Sequence, residues 1–355
     1  MIPSEPMEID AADTKAELNT AAAISVGSRT DNKADIWVEK YRPSNTDEII
    51  AHEEIIQVLN RLIEGDKLPH LLFHGPPGTG KTTTILACAK KMYGQHYQSM
   101  TLELNASDDR GIDVVRDQIK EFAGTMKLFS TGIKLIILDE ADAMTSDAQA
   151  ALRRVIEQYT KNTRFCMICN YVNKITPALQ SRCTRFRFAP LKPEQIIGRL
   201  NDIIIAEHVK ATECGRKALL SLAGGDMRRV LNLLQTTQMA YPEVNEETVY
   251  LTAGAAMPNV IKHLLSVLLN SSFNESYDIL LKTITDYGYA LCDIITEISI
   301  LIVDITLPNA VLAYIVDKLS TIEYRLSHGV NEKLQIGALG TLNFSRINSS
   351  IYPLT

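Results

Sequence analysis

Short apolar runs alternate with longer segments of helical periodicity through the first half of the chain. Each run is bounded by polar or turn-forming residues, which is typical of buried strands. Strands that alternate with helices predict a parallel sheet with helices on its faces, and therefore an α/β fold. The predicted strands are residues 71–73, 101–104, 134–138, 165–169 and 185–188.

The helical pattern is clearest in EEIIQVLNRLIEG (53–65), where the apolar residues recur at the spacing of one helix face. Strand patterns end after APLKP (189–193). Four helical segments follow as far as about Thr252, and a second helical set begins at Met257, with a break at Pro308. The pattern therefore predicts an α/β region followed by two helical regions. Residues 1–34 are polar and lack periodicity, which predicts a disordered tail.

A phosphate-binding loop is predicted where the first strand ends, in HLLFHGPPGTGKTTT (70–84). Gly75, Gly80, Lys81 and Thr82 stand at the fixed positions of G-x-x-x-x-G-K-[ST]. Glycines allow backbone N–H groups to surround an anion, and the following helix adds the positive end of its dipole. We expect Lys81 to reach the β- and γ-phosphates of ATP and the Thr82 hydroxyl to ligate Mg²⁺.

Two carboxylates follow the apolar strand in KLIILDEAD (134–142). We expect Asp139 to face the P-loop from the neighbouring position in the sheet and to hold Mg²⁺. Glu140 would orient and deprotonate the attacking water. Acidic residues after a strand are also common helix N-caps, and only the combination with a P-loop favours hydrolysis.

Three further polar positions have two interpretations each. Asn170 ends the run CMICN and is either a turn former or a sensor of the γ-phosphate. Arg228 and Arg229 begin a predicted helix, where arginines are usually solvated, but one of them could reach a bound phosphate.

Composition limits the classes of protein that fit this chain. The 355 residues are 46% hydrophobic and 22% charged, and the formal net charge is −6, so any DNA contact requires a local basic surface. The six cysteines are scattered, as in a reduced intracellular protein. Cys166 and Cys169 form a C-x-x-C, but they lie in an apolar run and no second pair follows, which favours a buried strand over zinc. No apolar stretch suits a membrane span or a secretory signal, so we expect a soluble protein without a membrane partner.

These elements, in this order, resemble the AAA+ ATPases, and more narrowly the clamp-loader small subunits of replication factor C. Within that family, residues 147–188 resemble one particular type of small subunit. The resemblance covers most of residues 36–240 and fades in the last hundred. The segments that carry it are WVEKYRP (37–43), GPPGTGKT (75–82), ELNASDDRGIDVVR (103–116), LIILDEADAMT (135–145), SRCTRFRF (181–188) and GDMRRVLN (225–232).

The resemblance implies three folded domains and a nucleotide-binding set. The domains are an AAA+ P-loop ATPase domain (35–190), a helical lid (191–255) and an all-α collar for oligomerisation (256–355). Val38 and Arg42 would lie against the nucleotide, and Ile50 would flank the adenine. The phosphates and Mg²⁺ would be wrapped by Gly75, Pro76, Pro77, Gly78, Thr79, Gly80, Lys81, Thr82 and Thr83.

The same resemblance assigns roles to three polar residues. Asn170 would be the first sensor and Arg228 the second. Arg182, in SRC, would be an arginine finger inserted into the site of the neighbouring subunit. A finger has a physical basis, because charge that develops on the γ-phosphoryl group needs a cation that the P-loop does not supply.

The chain departs from the family at one site. Where the family usually has Gly-Gln, this chain has Ala51 and His52, which predicts an altered adenine contact.

A DNA-binding face is expected from Arg110, Arg116 and Lys120. Arg116 and Lys120 are four residues apart and share a helix face, and in the family this face lines a chamber that follows the DNA backbone. Acidic residues are interleaved here (Asp113, Asp117 and Glu121), and they could pair with the basic ones instead. Arg153 and Arg154 are expected on another helix that faces the chamber or the neighbour.

The leading hypothesis is a nuclear ATPase subunit of a hetero-pentameric clamp loader. Its partners would be the other replication factor C subunits, a sliding clamp and primer-template DNA. The alternatives are a DNA-remodelling motor of the same superfamily and a scaffold that binds nucleotide without turnover. Intact Lys81, Thr82, Asp139 and Glu140 favour turnover.

Overall fold

The computed structural model describes residues 36–49, 51–65, 67–107, 111–124, 132–303, 305 and 307–341. The chain divides after Arg42 into two units. In the first unit, the described part forms helix α1 (Trp37–Lys40). The predicted tail, residues 1–34, lies outside the described residues.

A five-stranded, all-parallel sheet forms the α/β part of the second unit. Its strands lie in the order β2-β3-β4-β1-β5. They are β1 (Leu71–His74), β2 (Thr101–Asn105), β3 (Lys134–Asp139), β4 (Thr163–Cys169) and β5 (Thr184–Arg187). The predicted strands and the α/β class are therefore confirmed.

The predicted neighbour relation between β3 and the P-loop strand was wrong. Strand β4 lies between β1 and β3, and it pairs with both of them. Strand order depends on how the helices pack on the sheet, and local apolar patterns do not encode it. The carboxyl ends of β1, β4 and β3 nevertheless meet at one edge, which brings their following residues together.

Alternate residues of the strands face two separate hydrophobic layers, because successive side chains of a strand point to opposite faces. Leu72, Ile136 and Phe165 pack in one layer, and Leu71, Ile137 and Cys166 pack in the other. The first layer is covered by α5 (Gly111–Gly124) and α6 (Ser146–Tyr159), and the second by α2 (Glu53–Glu64) and α3 (Lys81–Tyr93). Two single-turn helices complete this part, α4 (Tyr97–Met100) and α7 (Pro177–Gln180).

In the part of the chain that the structure describes after the sheet, the regular elements are helices, as the sequence predicts, apart from an isolated β-bridge between Ala211 and Val244. The first four are α8 (Pro193–Ala206), α9 (Glu213–Ala223), α10 (Met227–Ala240) and α11 (Glu246–Ala253). The later five share one hydrophobic core, which contains Leu264, Ile298 and Leu319. They are α12 (Pro258–Asn270), α13 (Phe273–Tyr287), α14 (Leu291–Val303), α15 (Asn309–Ser327) and α16 (Glu332–Gly340). Within the described ranges, no helix has the length and apolar character that crossing a membrane requires.

Candidate nucleotide site

The glycine-rich loop connects β1 to α3 through backbone conformations that suit glycine. Gly75 has a φ of 149°, and a Cβ placed on it would lie 2.0 Å from the carbonyl oxygen of Phe188. No side chain fits at that distance, so the loop can pass the end of β5 only with glycine at this position. Thr79 stabilises the turn, because its hydroxyl donates a 3.0 Å hydrogen bond to Pro76 O.

Lys81 is buried at the start of α3, and its ammonium group is fully hydrogen-bonded. Its Nζ donates to Gly75 O at 2.8 Å, to Pro76 O at 2.8 Å and to Asn170 Oδ1 at 3.0 Å. Burial lowers the pKa of Lys81, while the charge of Asp139 opposes this shift. The three oxygen atoms hold a cation at the mouth of the loop, where a phosphate would meet it.

Thr82 and Asp139 join α3 to the end of β3. The Thr82 hydroxyl donates a 2.8 Å hydrogen bond to Asp139 Oδ2, and the other carboxylate oxygen accepts from the backbone N–H of Glu140 at 2.9 Å. Glu140 has a φ of 53°, in the left-handed region that residues other than glycine rarely adopt. Its side chain is exposed, so the carboxylate is accessible to water and substrate.

Asn170 lies beside the P-loop because β4 pairs with β1. His74 and Cys169 are partners in the register of these strands, so the residues that follow them meet. The bond from Lys81 to Asn170 is the direct result. Next to it, the backbone N–H of Tyr171 donates to Asp142 Oδ2 at 3.2 Å, which ties the ends of β4 and β3 together.

The N-terminus of α10 contacts the P-loop from the helical region. The N–H of Met227 donates to Gly78 O at 3.3 Å, and a Cβ on Gly78 would lie 1.6 Å from Asp226 Oδ1. Asp226 caps the helix by accepting from the N–H groups of Arg228 and Arg229 at 2.8 and 3.2 Å. The positive charge of Arg228 is close enough to be one of the causes that lower the Lys81 pKa, after burial.

Arg182 lies after α7 and is bound to its own subunit at two points. Its Nη2 donates to Glu157 Oε1 at 2.6 Å, and its Nη1 donates to Ala178 O at 2.7 Å. The side chain remains 36% exposed.

Of the other predicted site residues, some are described by the structure and some are not. Val38 and Arg42 belong to the first unit, in which Arg42 Nη2 lies 3.0 Å from Glu39 Oε1. Ile50 and Arg110 lie outside the described residues, as does the side chain of Arg116. Lys120 Nζ lies 3.9 Å from Asp117 Oδ1, so one of the interleaved acidic residues approaches it.

His52, at the position where the family pattern changes, packs on the end of the sheet. Its backbone is left-handed (φ 63°), and its ring meets Phe188 edge to face, with a centroid distance of 4.9 Å. Burial lowers the His52 pKa, which favours the neutral ring.

The cysteine pair lies in the buried strand β4, as predicted. Burial raises the pKa of Cys169 to about 12 and holds the pKa of Cys166 well above its ordinary value, so neither thiol is readily ionised. In the part of the chain that the structure describes, no group of three or more His, Cys, Asp or Glu side chains is arranged to hold a metal ion.

Two residues of this region were absent from the sequence predictions. Asp226 had a signal, because an aspartate directly before a helix is a typical N-cap. Glu157 had none, because it is 25 residues away from Arg182 and only the packing of α6 against the segment after α7 joins them.

A P-loop after β1, an acidic pair at the end of β3 and an amide after β4, all at one edge of a parallel sheet, define a P-loop ATPase of the AAA class. A family model for the ATPase family associated with various cellular activities matches residues 71–191, and one for the replication factor C C-terminal domain matches residues 256–340. Because the chain is also 53% identical to human replication factor C subunit 5 over 85% of its length, it belongs to the replication factor C family. It is therefore an ATPase subunit of the clamp-loader type, and it belongs to a multisubunit complex with other replication factor C subunits.

Relatives from distant organisms support this assignment. The chain is 53% identical to human replication factor C subunit 5 over 304 residues, which are 85% of this chain and 89% of the relative. It is 48% identical to replication factor C subunit 3 of Saccharomyces cerevisiae over 322 residues, 89% of this chain and 95% of that one. The resemblance to one type of small subunit is confirmed.

A solved structure of a mutant of Thermotoga maritima RuvB has a similar fold. The TM-score is 0.50 at 14% identity, over 69% of this chain and 87% of that chain. At this identity, the likeness supports the fold alone.

Proposed function

We propose that this chain binds ATP with Mg²⁺ and hydrolyses it within a nuclear hetero-pentamer that opens a sliding clamp and places it on primer-template DNA. The observation that supports this best is a group of two hydrogen-bonded pairs at one edge of the sheet: Lys81 donates to Asn170 at 3.0 Å, and Thr82 donates to Asp139 at 2.8 Å. These side chains come from three elements, and together they suit a triphosphate.

Each residue of the group has a distinct task. Lys81 exchanges one of its oxygen partners for phosphate, and the loop Gly75 to Thr83 surrounds the phosphates. Glu140 accepts the proton of the attacking water, since its carboxylate is exposed beside Asp139. Asn170 contacts the γ-phosphate or the water. On the family resemblance, Val38 and Arg42 are proposed to lie against the nucleotide and Ile50 to flank the adenine.

The donor chemistry next to Lys81 fits Mg²⁺. The Thr82 hydroxyl and the Asp139 carboxylate lie 2.8 Å apart, and hydroxyl and carboxylate oxygens are the ligands that this ion prefers. When bound, Mg²⁺ neutralises charge on the phosphates during transfer. Thr82 and Asp139 are the residues that would hold it.

Two arginines complete the chemistry from outside the P-loop. Arg228 approaches from α10, whose first turn contacts Gly78. Arg182 acts in trans, in the site of the neighbouring subunit, where it stabilises charge on the γ-phosphoryl group. The shared site makes ATP turnover depend on assembly.

DNA contact is proposed for Arg110, Arg116 and Lys120. Helical spacing places charges of this kind along a phosphate backbone, and such contacts need no base-reading side chains. Arg153 and Arg154, on α6, are further candidates. The proposed division of labour is an ATPase domain (35–190), a lid (191–255) and a collar that holds the subunits together (256–355).

The test is reconstitution with the other subunits. We expect this chain to co-purify with them and the complex to place a ring clamp on primed circular DNA only with hydrolysable ATP. ATPase activity should rise when the clamp and primed DNA are both added. Strand displacement without any clamp would instead favour a DNA-remodelling motor. Absence of turnover at this subunit's P-loop in the full assembly would favour a scaffold.

A further inference from the structure

Glu157 and Arg182 form a short ion pair between two separate elements. Arg182 Nη2 lies 2.6 Å from Glu157 Oε1, near the end of α6, while Arg182 Nη1 donates to Ala178 O at 2.7 Å. Two anchors on opposite sides of a planar guanidinium fix its direction as well as its place. Of its five N–H donors, the described residues of this chain engage two, which leaves three for another partner.

The backbone that carries Arg182 is fixed to the same helix. Gln149 of α6 accepts from Thr176 N–H at 2.8 Å and donates to Lys174 O at 3.0 Å. Gln180 closes the segment, because its side-chain amide donates to Ile175 O at 2.7 Å. Helix α6 therefore holds both the chain before Arg182 and the side chain of Arg182.

Glu157 has a second cation within range. Arg153 Nε lies 3.8 Å from Glu157 Oε1, and this Nε atom has no hydrogen-bond partner among the described residues. One carboxylate thus faces two guanidinium groups, so the cluster keeps a net positive charge although Arg182 is anchored. An Arg182 guanidinium that is anchored in this way can still bind an anionic phosphate.

We propose that Glu157 is a positioning residue for the arginine finger, which holds the Arg182 guanidinium in the direction required by the neighbouring subunit's ATP site. An unrestrained arginine loses considerable rotamer freedom when it binds, and the ion pair with Glu157 removes much of that cost in advance. This inference rests on the proposed action of Arg182 in trans.

The experiment uses the assembled complex in which only the subunit that receives Arg182 has a working P-loop. Steady-state kcat and KM for ATP are measured with Arg182→Ala, Glu157→Ala, Glu157→Gln and the double variant Glu157→Ala/Arg182→Ala. Glu213→Ala is the matched control, because Glu213 is an exposed glutamate that pairs with Lys217 at 2.8 Å on α9. Thermal unfolding checks that each variant is folded.

We expect Glu157→Ala to lower kcat at the neighbouring site by about five- to tenfold, with an unchanged KM. Glu157→Gln keeps an acceptor oxygen for Nη2 and should recover part of that loss. The double variant should be as slow as Arg182→Ala alone, because Glu157 acts only through the finger. Glu213→Ala should match the wild type.

Different results overturn different claims. If Arg182→Ala leaves the neighbouring site unaffected, the action in trans is wrong, and the role of Glu157 is wrong with it. If Arg182→Ala abolishes turnover but Glu157→Ala matches or exceeds the wild type, only the positioning role is wrong. A further loss in the double variant would mean that Glu157 acts through general structure.

Discussion

Lys81 Nζ donates a 3.0 Å hydrogen bond to Asn170 Oδ1 and thereby joins the P-loop to the end of β4. The other two N–H donors of the Lys81 ammonium group go to Gly75 O and Pro76 O. A phosphate can therefore bind the ammonium group only by replacing one of its three oxygen partners. Asn170 is the partner on a different element. Replacement of the Asn170 oxygen by phosphate would release this link between the P-loop and the end of β4.

Replacing Lys81 with alanine should abolish tight ATP binding. The loop loses its ammonium group, and the loss of affinity should be at least about a hundredfold, since charged hydrogen bonds to phosphate are strong. Equilibrium nucleotide binding to the chain measures this, with the exposed Lys90, at the other end of α3, changed to alanine as the control. Unchanged affinity in Lys81→Ala would remove the site assignment.

Glu140→Gln should separate binding from turnover. An amide cannot accept a proton from water, so hydrolysis should fall by about a hundredfold or more while ATP affinity stays within about threefold. Single-turnover hydrolysis and binding are measured on the same assembled complex. Normal turnover would mean that Glu140 serves only as part of the turn after β3.

The buried His70 should make stability depend on pH. Its Nδ1 accepts from Phe165 N–H at 3.2 Å, and burial, with the nearby charge of Arg164, lowers its pKa to about 4. The unfolded chain takes up a proton near pH 6.5, whereas the folded chain does not, so folding stability decreases as the pH falls from about 6.5 towards 4. Between pH 7 and pH 5, this group contributes a loss of at most about 2 kcal/mol.

The comparison with His70→Asn isolates that contribution. The asparagine oxygen can take the place of Nδ1 as an acceptor, but it does not titrate. Chemical denaturation at pH 7 and pH 5 should give a smaller loss of unfolding free energy for His70→Asn than for the wild type. An equal loss in both proteins would show that other groups govern the acid sensitivity.

Arg110→Ala/Arg116→Ala should weaken DNA binding and make it less sensitive to salt. Each lost phosphate contact lowers the slope of log affinity against log salt by roughly one unit. Affinity is measured for the assembled complex at several salt concentrations, and Arg199→Ala in α8 serves as the control. If affinity and slope both stay the same, these arginines do not contact DNA.

The sequence predicted the sheet, the P-loop and the acidic pair because each depends on local pattern. Residues 135–138 of the strand Lys134–Asp139 are all apolar and buried, so the limits of the strand could be predicted within one residue. The order of the strands could not be predicted, because the insertion of β4 between β1 and β3 results from packing across the whole layer.

Contacts between residues that are distant in the sequence could not be predicted, because they also result from packing. Nothing in the residues around Glu157 indicates Arg182, and nothing around Gly78 indicates Asp226, although a Cβ on Gly78 would lie 1.6 Å from that carboxylate. The P-loop pattern accounts for its glycines by phosphate binding, because glycines allow the backbone to surround the anion. Here the close approach of α10 gives Gly78 a second physical reason.

Hydrolysis of ATP at this subunit's own site is tested by ATP turnover in a reconstituted complex in which this subunit alone has a working P-loop. The rate is measured without additions, with the sliding clamp, with primed DNA and with both. We expect turnover that is highest with both and that disappears when Lys81→Ala is introduced. Turnover that is the same in all four conditions, or that survives Lys81→Ala, would contradict this expectation.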